Sequence, residues 1–234
     1  MSKDIDSIIA SAVQDESLIK FRFELAHFAS ETFLNSGKEL QVFGHIFGTD
    51  RKTGVSPQGH GDDETVAVSI LFRTAAQLIS ASADLFKDGR SYAAAALLRQ
   101  IVEIEYLAWA IETNDKDGAK WLRSDRKERE EFFKPSKLRK ASNGSFRSQD
   151  YGYHCEFGGH PVPGVDGLLD NRLDMQQVLL FDLLGHTGRI WNHFASWAKN
   201  KPQGKYLYLR NQQMSKKYSV WKSLDPLFEL PPPP

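Results

Sequence analysis

Cysteine is almost missing from this chain: Cys155 stands alone in 234 residues. One thiol cannot form an internal bridge, so a disulfide framework is excluded. Charge of one sign is missing as well. Thirty Lys and Arg face thirty Asp and Glu, which removes the global basic field that drives nonspecific nucleic-acid binding. Long hydrophobic runs are missing too. The longest apolar segment, Tyr92 to Leu98, stops at Arg99, well short of the ~20 residues a membrane span needs. With no secretion signal after Met1, the expectation is a cytoplasmic protein with no membrane association. The sequence also lacks a Gly-x-x-x-x-Gly-Lys loop, a Gly-x-Gly-x-x-Gly turn, a Cys-x-x-Cys pair and a His-Glu-x-x-His motif. Nucleotide-loop and zinc-finger chemistry lose their signatures, and neither a cofactor nor a metal is expected.

What is present is helical periodicity, and the expected fold class is all-α, a helical bundle over residues 1–200 with a C-terminal extension over 201–234. Apolar residues at Ile5, Ile8, Ile9 and Ala12, then Leu18, Phe21, Leu25 and Phe28, predict one or two helices with Gly37 as a stop. Between Gln41 and Gly61 six glycine and proline residues interrupt the pattern, predicting a long loop near 41–61. Asp62 and Asp63 then form an N-cap for a helix to about Lys87. Ser91 to Thr113 is apolar around most of its circumference and is expected at the bundle centre, with Leu97, Ile101, Ile104 and Ala108 inaccessible. A shorter helix near Ala119 to Phe133, broken at Pro135, leads to a Ser/Gly turn at Ala141 to Ser145. Leu173 to Lys199 predicts a last long helix with Leu179, Leu183, Ile190 and Phe194 inward and Asp182, His186, Arg189 and His193 on a solvated face. Tyr206 to Leu209 alternates like a short strand. Pro231 to Pro234 reads as an extended tail.

Three constellations could carry chemistry. Arg99, Glu103 and Tyr106 share one stripe of the central helix, and a charged pair on so apolar a helix is expected to be partly buried and matched by groups near Tyr151 or His160. His154, Cys155, Glu156 and His160 offer metal-ligand atoms, with Glu103 or Glu105 available from the central helix, but their spacing fits no standard zinc pattern and a capping turn is the better reading. Arg147 and His154 are seven residues apart, which on a helix puts a phosphate-binding guanidinium and a proton-shuttling imidazole on one face.

The run Tyr92-Ala-Ala-Ala-Ala-Leu-Leu-Arg-Gln-Ile-Val-Glu, then Trp121-Leu with Phe133-Lys-Pro-Ser-Lys-Leu-Arg, then Tyr151 to His160-Pro, resembles uncharacterised bacterial helical proteins similar to the HEPN superfamily of toxin-antitoxin and phage-defence systems. The likeness covers about residues 60–198. It implies a bundle that forms a homodimer and, in active members, a metal-independent endoribonuclease with an Arg-x(4–6)-His motif. Arg147 and His154 would then be the catalytic pair, while Arg99, Glu103, Tyr151 and His160 form a binding or structural polar cluster. Ser148 follows the arginine where active members carry Asn, Asp or His, and Gly152 interrupts the helix between the pair. Two functions follow: an RNA-cutting enzyme, or a non-catalytic sensor or adaptor with a protein partner. Burial of either His154 or Arg147 favours the second.

Overall fold

The computed structural model describes residues 4–46, 62–114, 116–146, 148–158, 160–199, 201 and 204–230. Among these no strand is present, and the all-α expectation holds. The Asp62 cap is where the sequence puts it. Its carboxylate accepts from the Glu64 N–H at 3.2 Å and from the Thr65 hydroxyl at 2.5 Å, satisfying groups that the first helical turn leaves without partners. The order is α1 (Ile5–Gln14), α2 (Glu16–Ile46), α3 (Asp63–Lys87), α4 (Ser91–Thr113), α5 (Lys116–Arg123), α6 (Arg126–Phe132), α7 (Pro135–Ala141), α8 (Ser148–Gly158), α9 (Asp166–Leu169), α10 (Leu173–Ala198) and α11 (Gly204–Leu224). α2, α3, α4 and α10 form the bundle proper, with α3 packed between α2 and α4.

The core is aromatic at its centre. Phe33 of α2, Phe72 of α3, and Trp191 and Phe194 of α10 stack with ring centroids 4.7–5.6 Å apart, a spacing that adds to simple area burial. α3 has the length and apolar composition of a membrane span, but most of that stretch is buried by its neighbours. α4 runs over the residues the periodicity predicts, with Ile101, Ile104 and Ala108 buried. Leu97 is only half-buried.

Several expectations are corrected. Gly37 does not stop the first long helix, because α2 continues through it to Ile46. A Cβ at Gly37 would lie 2.7 Å from Arg73 Cγ and 3.0 Å from the Ser69 carbonyl, so the glycine serves close approach of α2 to α3. Gly44 repeats the device one heptad later against Val66. The loop expected over 41–61 is therefore helical to Ile46, and 47–61 lies outside the described residues. The segment near Ala119 to Phe133 is two helices. Asp125 and Glu128 form a reciprocal capping box that starts α6 afresh, and Pro135 then sits in the first turn of α7. The strand expected at Tyr206 to Leu209 is helical, because Leu207, Met214 and Trp221 recur every seven residues and all three are buried in the main core. Pro231 to Pro234 lies outside the described residues.

One ion pair went unseen in the sequence. Arg22 and Asp225 are both fully buried and meet in a two-pronged pair, Nε to Oδ2 and Nη2 to Oδ1, each 2.7 Å. Arg22 Nη1 donates to the Ala12 carbonyl and to Gln177 Oε1. Asp225 accepts further from Trp221 Nε1 and the Leu227 N–H. Every charge here has partners, which is the condition for burying it.

Candidate functional site

α8 carries the chemistry-bearing residues into the bundle. Gly158 seats its C-terminal end directly on the backbone of α4, where a Cβ would lie 2.3 Å from the Ala95 carbonyl. Tyr151 and His154, three residues apart on α8, then reach different polar groups. Gly152 does not break the helix.

The Tyr151 hydroxyl donates to Glu103 Oε1 at 2.9 Å, and Arg99 Nη2 approaches both that hydroxyl at 3.4 Å and Glu103 at 3.2 Å. Arg99 and Glu103 side chains are one-third exposed, so the pair is partly buried and bonded across elements. Burial pushes the Tyr151 phenol up to about 12, with Glu103 adding to the shift and Arg99 opposing it. The guanidinium of Arg139 lies over the same ring. His160, by contrast, is exposed beyond the end of α8 and is not drawn into this set.

His154 turns the other way and is buried, with 5% of its surface exposed. Its Nε2 lies 3.2 Å from His186 Nε2 and 3.4 Å from Asp182 Oδ2, and His186 Nε2 lies 3.4 Å from Asp182 Oδ1. Behind them stands Glu105 of α4. Its Oε2 lies 2.5 Å from His186 Nδ1, which Arg189 Nη2 also approaches at 2.7 Å, and its Oε1 accepts from Arg189 Nε at 2.8 Å. Glu105, one of three acidic residues on the largely apolar α4, is thus answered by α10. His193 repeats the arrangement with Glu112 one heptad on.

The electrostatics separate the two imidazoles. Burial pushes His154 down to about 4, against the pull of Asp182. Burial also opposes a charge on His186, but the Asp182 and Glu105 carboxylates outweigh it and lift that group to about 9. Asp182 has a third of its side chain exposed. Burial acts to raise it, but the nearby imidazoles hold it at about 2. Burial likewise acts to raise Glu105, and His186 and Arg189 together keep it below its ordinary value.

The predicted solvated face of α10 is therefore overturned at its centre: His186 is buried and faces Glu105 and His154. Periodicity showed that Asp182, His186, Arg189 and His193 share a face. It could not show that Glu105 and Glu112 of α4 look back at them, although that i, i+7 acidic pair was the available signal. The metal-ligand group suggested by His154, Cys155, Glu156 and His160 is not assembled. Cys155 is half-buried, while Glu156 and His160 are exposed. Arg147 lies outside the described residues, and with it the predicted catalytic pairing of Arg147 and His154. No family model, curated protein or solved structure matches this chain.

Proposed function

We propose that this chain is a HEPN-like helical adaptor of a defence or stress system that holds RNA without cutting it through Arg147 and His154. The observation that carries this reading is the burial of His154, whose Nε2 already faces His186 and Asp182. An acid or base for RNA cleavage must reach the 2′-hydroxyl or the leaving oxygen within hydrogen-bond distance, whereas this imidazole is turned inward toward His186 and Asp182. The resemblance supplies the setting and the expectation of a homodimer.

A surface suited to RNA is available on α11. From Gly204 to Leu224 it carries Lys205, Lys216, Lys217 and Lys222 and no acidic residue, Arg210 being held by Glu39 of α2, while Tyr208 and Leu209 are more than 60% exposed. Basic side chains interleaved with an exposed aromatic suit a phosphate backbone with a base stacked beside it. The test is fluorescence anisotropy of labelled single-stranded RNA with the full chain in chelator, followed by gel analysis of the same samples. Expected are salt-dependent binding, intact RNA, and weaker binding in a Lys216→Glu, Lys222→Glu double variant. Cleavage lost in His154→Ala would restore the nuclease reading, and no binding at low salt would end the RNA reading.

A further inference from the structure

His154 and His186 turn their Nε2 atoms toward each other, and both carboxylate oxygens of Asp182 face the same space. Two imidazole nitrogens and a carboxylate converge there, the donor set of a metal centre once His186 gives up its proton.

The ligand chemistry selects among ions. One ligand atom from each of His154, Asp182 and His186 lies within 4.8 Å of the others, and the two Nε2 atoms are 3.2 Å apart, each with a different oxygen of Asp182 at 3.4 Å. Two imidazoles beside one carboxylate suit a first-row transition ion rather than magnesium or calcium.

The surroundings fit as well. Asp182 and His186 stand i, i+4 on α10 and so share a face, while His154 comes from α8. Glu105 Oε2 lies 2.5 Å from His186 Nδ1, a ring atom that Arg189 Nη2 also approaches at 2.7 Å, so the His186 ring is held from behind with its Nε2 toward the site, and Arg189 Nε donates to Glu105. A carboxylate behind a ligating imidazole is the recurring outer partner of such centres, setting tautomer and ring angle. Helical bundles place their metal centres in this way, from side chains of facing helices. Asp182 is one-third exposed and Arg189 half-exposed, which gives an ion an approach from solvent.

We propose that His154, Asp182 and His186 bind one divalent transition-metal ion of the zinc class, with Glu105 as the positioning residue and a solvent molecule as fourth ligand. The inference rests on this geometry alone and goes beyond the adaptor reading. The ion ties α8 to α10 and thereby to the bundle.

The test uses the full-length, tag-free protein, stripped with chelator, returned to chelator-free buffer and titrated with Co2+ and then Zn2+. Expected is one equivalent of Co2+ with the intense visible absorption of a four-coordinate site, displaced by one equivalent of Zn2+, and a higher Tm on loading. His154→Gln and Asp182→Asn lower the affinity at least 100-fold, and Glu105→Gln lowers it about 10–100-fold, while the exposed Glu156→Gln binds as the parent does. X-ray absorption of the zinc-loaded parent shows two imidazoles, a readout that does not depend on any variant folding. A parent that takes up no stoichiometric metal, a zinc shell without imidazole, or a folded His154→Gln with unchanged affinity overturns the proposal and leaves the cluster a hydrogen-bonded network.

Discussion

His154 and His186 face each other at 3.2 Å, yet they respond oppositely to acid. His186 is raised to about 9, so in metal-free protein the stability it contributes is complete below its unfolded value of about 6.5 and is lost as pH rises through 9. His154 is lowered to about 4, so its contribution is complete above about 6.5 and is lost as pH falls through 4. Asp182 and Glu105, both lowered, act only further into acid. Urea unfolding in chelator should therefore show a maximum near pH 6.5, falling toward both pH 5 and pH 9, with the alkaline limb flattened in His186→Gln. A parent more stable at pH 9 than at pH 6.5 contradicts this assignment. The His154 shift is not visible in the sequence, because burial and Asp182, 28 positions away on another helix, set it; for His186 the neighbouring Asp182 was visible on α10, but Glu105, 81 positions away on α4, was not.

At the scale of elements, two glycines inside helices make opposite predictions. Alanine at Gly37 places a methyl group against Arg73, Phe72 and the Ser69 carbonyl, the last a backbone atom that moves only with α3. Its gain in helix propensity of about 1 kcal/mol is outweighed by overpacking, and a net loss of about 1–3 kcal/mol is expected in chemical denaturation. Alanine at Gly152 meets nothing within 4 Å inside α8, and a gain of about 0.5–1 kcal/mol is expected. A stabilised Gly37→Ala would show that α2 and α3 sit further apart than described. The same contrast explains what was legible. α3, α4 and α10 follow from strong apolar periodicity, helped at α3 by the Asp62 cap. Glycine alone does not say whether it ends a helix or lets two helices touch, and Gly37 and Gly152 were both misread as interruptions. The polar face of α10 was legible as a face, but its partner helix was not.

For the whole molecule, the deepest electrostatic link joins residues 22 and 225, 203 positions apart. Arg22 binds α1 through Ala12, α10 through Gln177 and the turn after α11 through Asp225. Asp225→Ala leaves a fully buried guanidinium without its counter-charge, and a loss of about 3–5 kcal/mol is expected in denaturant unfolding. A loss below about 1 kcal/mol would mean that water reaches Arg22. Sequence reading could not find this pair. Arg22 sits in a helix whose apolar stripe surrounds it, and Asp225 lies in the C-terminal extension, where the periodicity is weak.

That link also has a consequence in time. During synthesis at roughly 5–20 residues per second, the 203 positions between Arg22 and Asp225 take about 10–40 s to emerge from the ribosome. Through that interval the guanidinium must stay hydrated, since no anion has yet arrived to accompany it inward. The N-terminal helices can form early, but they cannot close over Arg22 until the carboxylate has been made. Vectorial translation thus delivers the carboxylate well after the helices that need it, and its arrival rather than helix formation times the sealing of this interior.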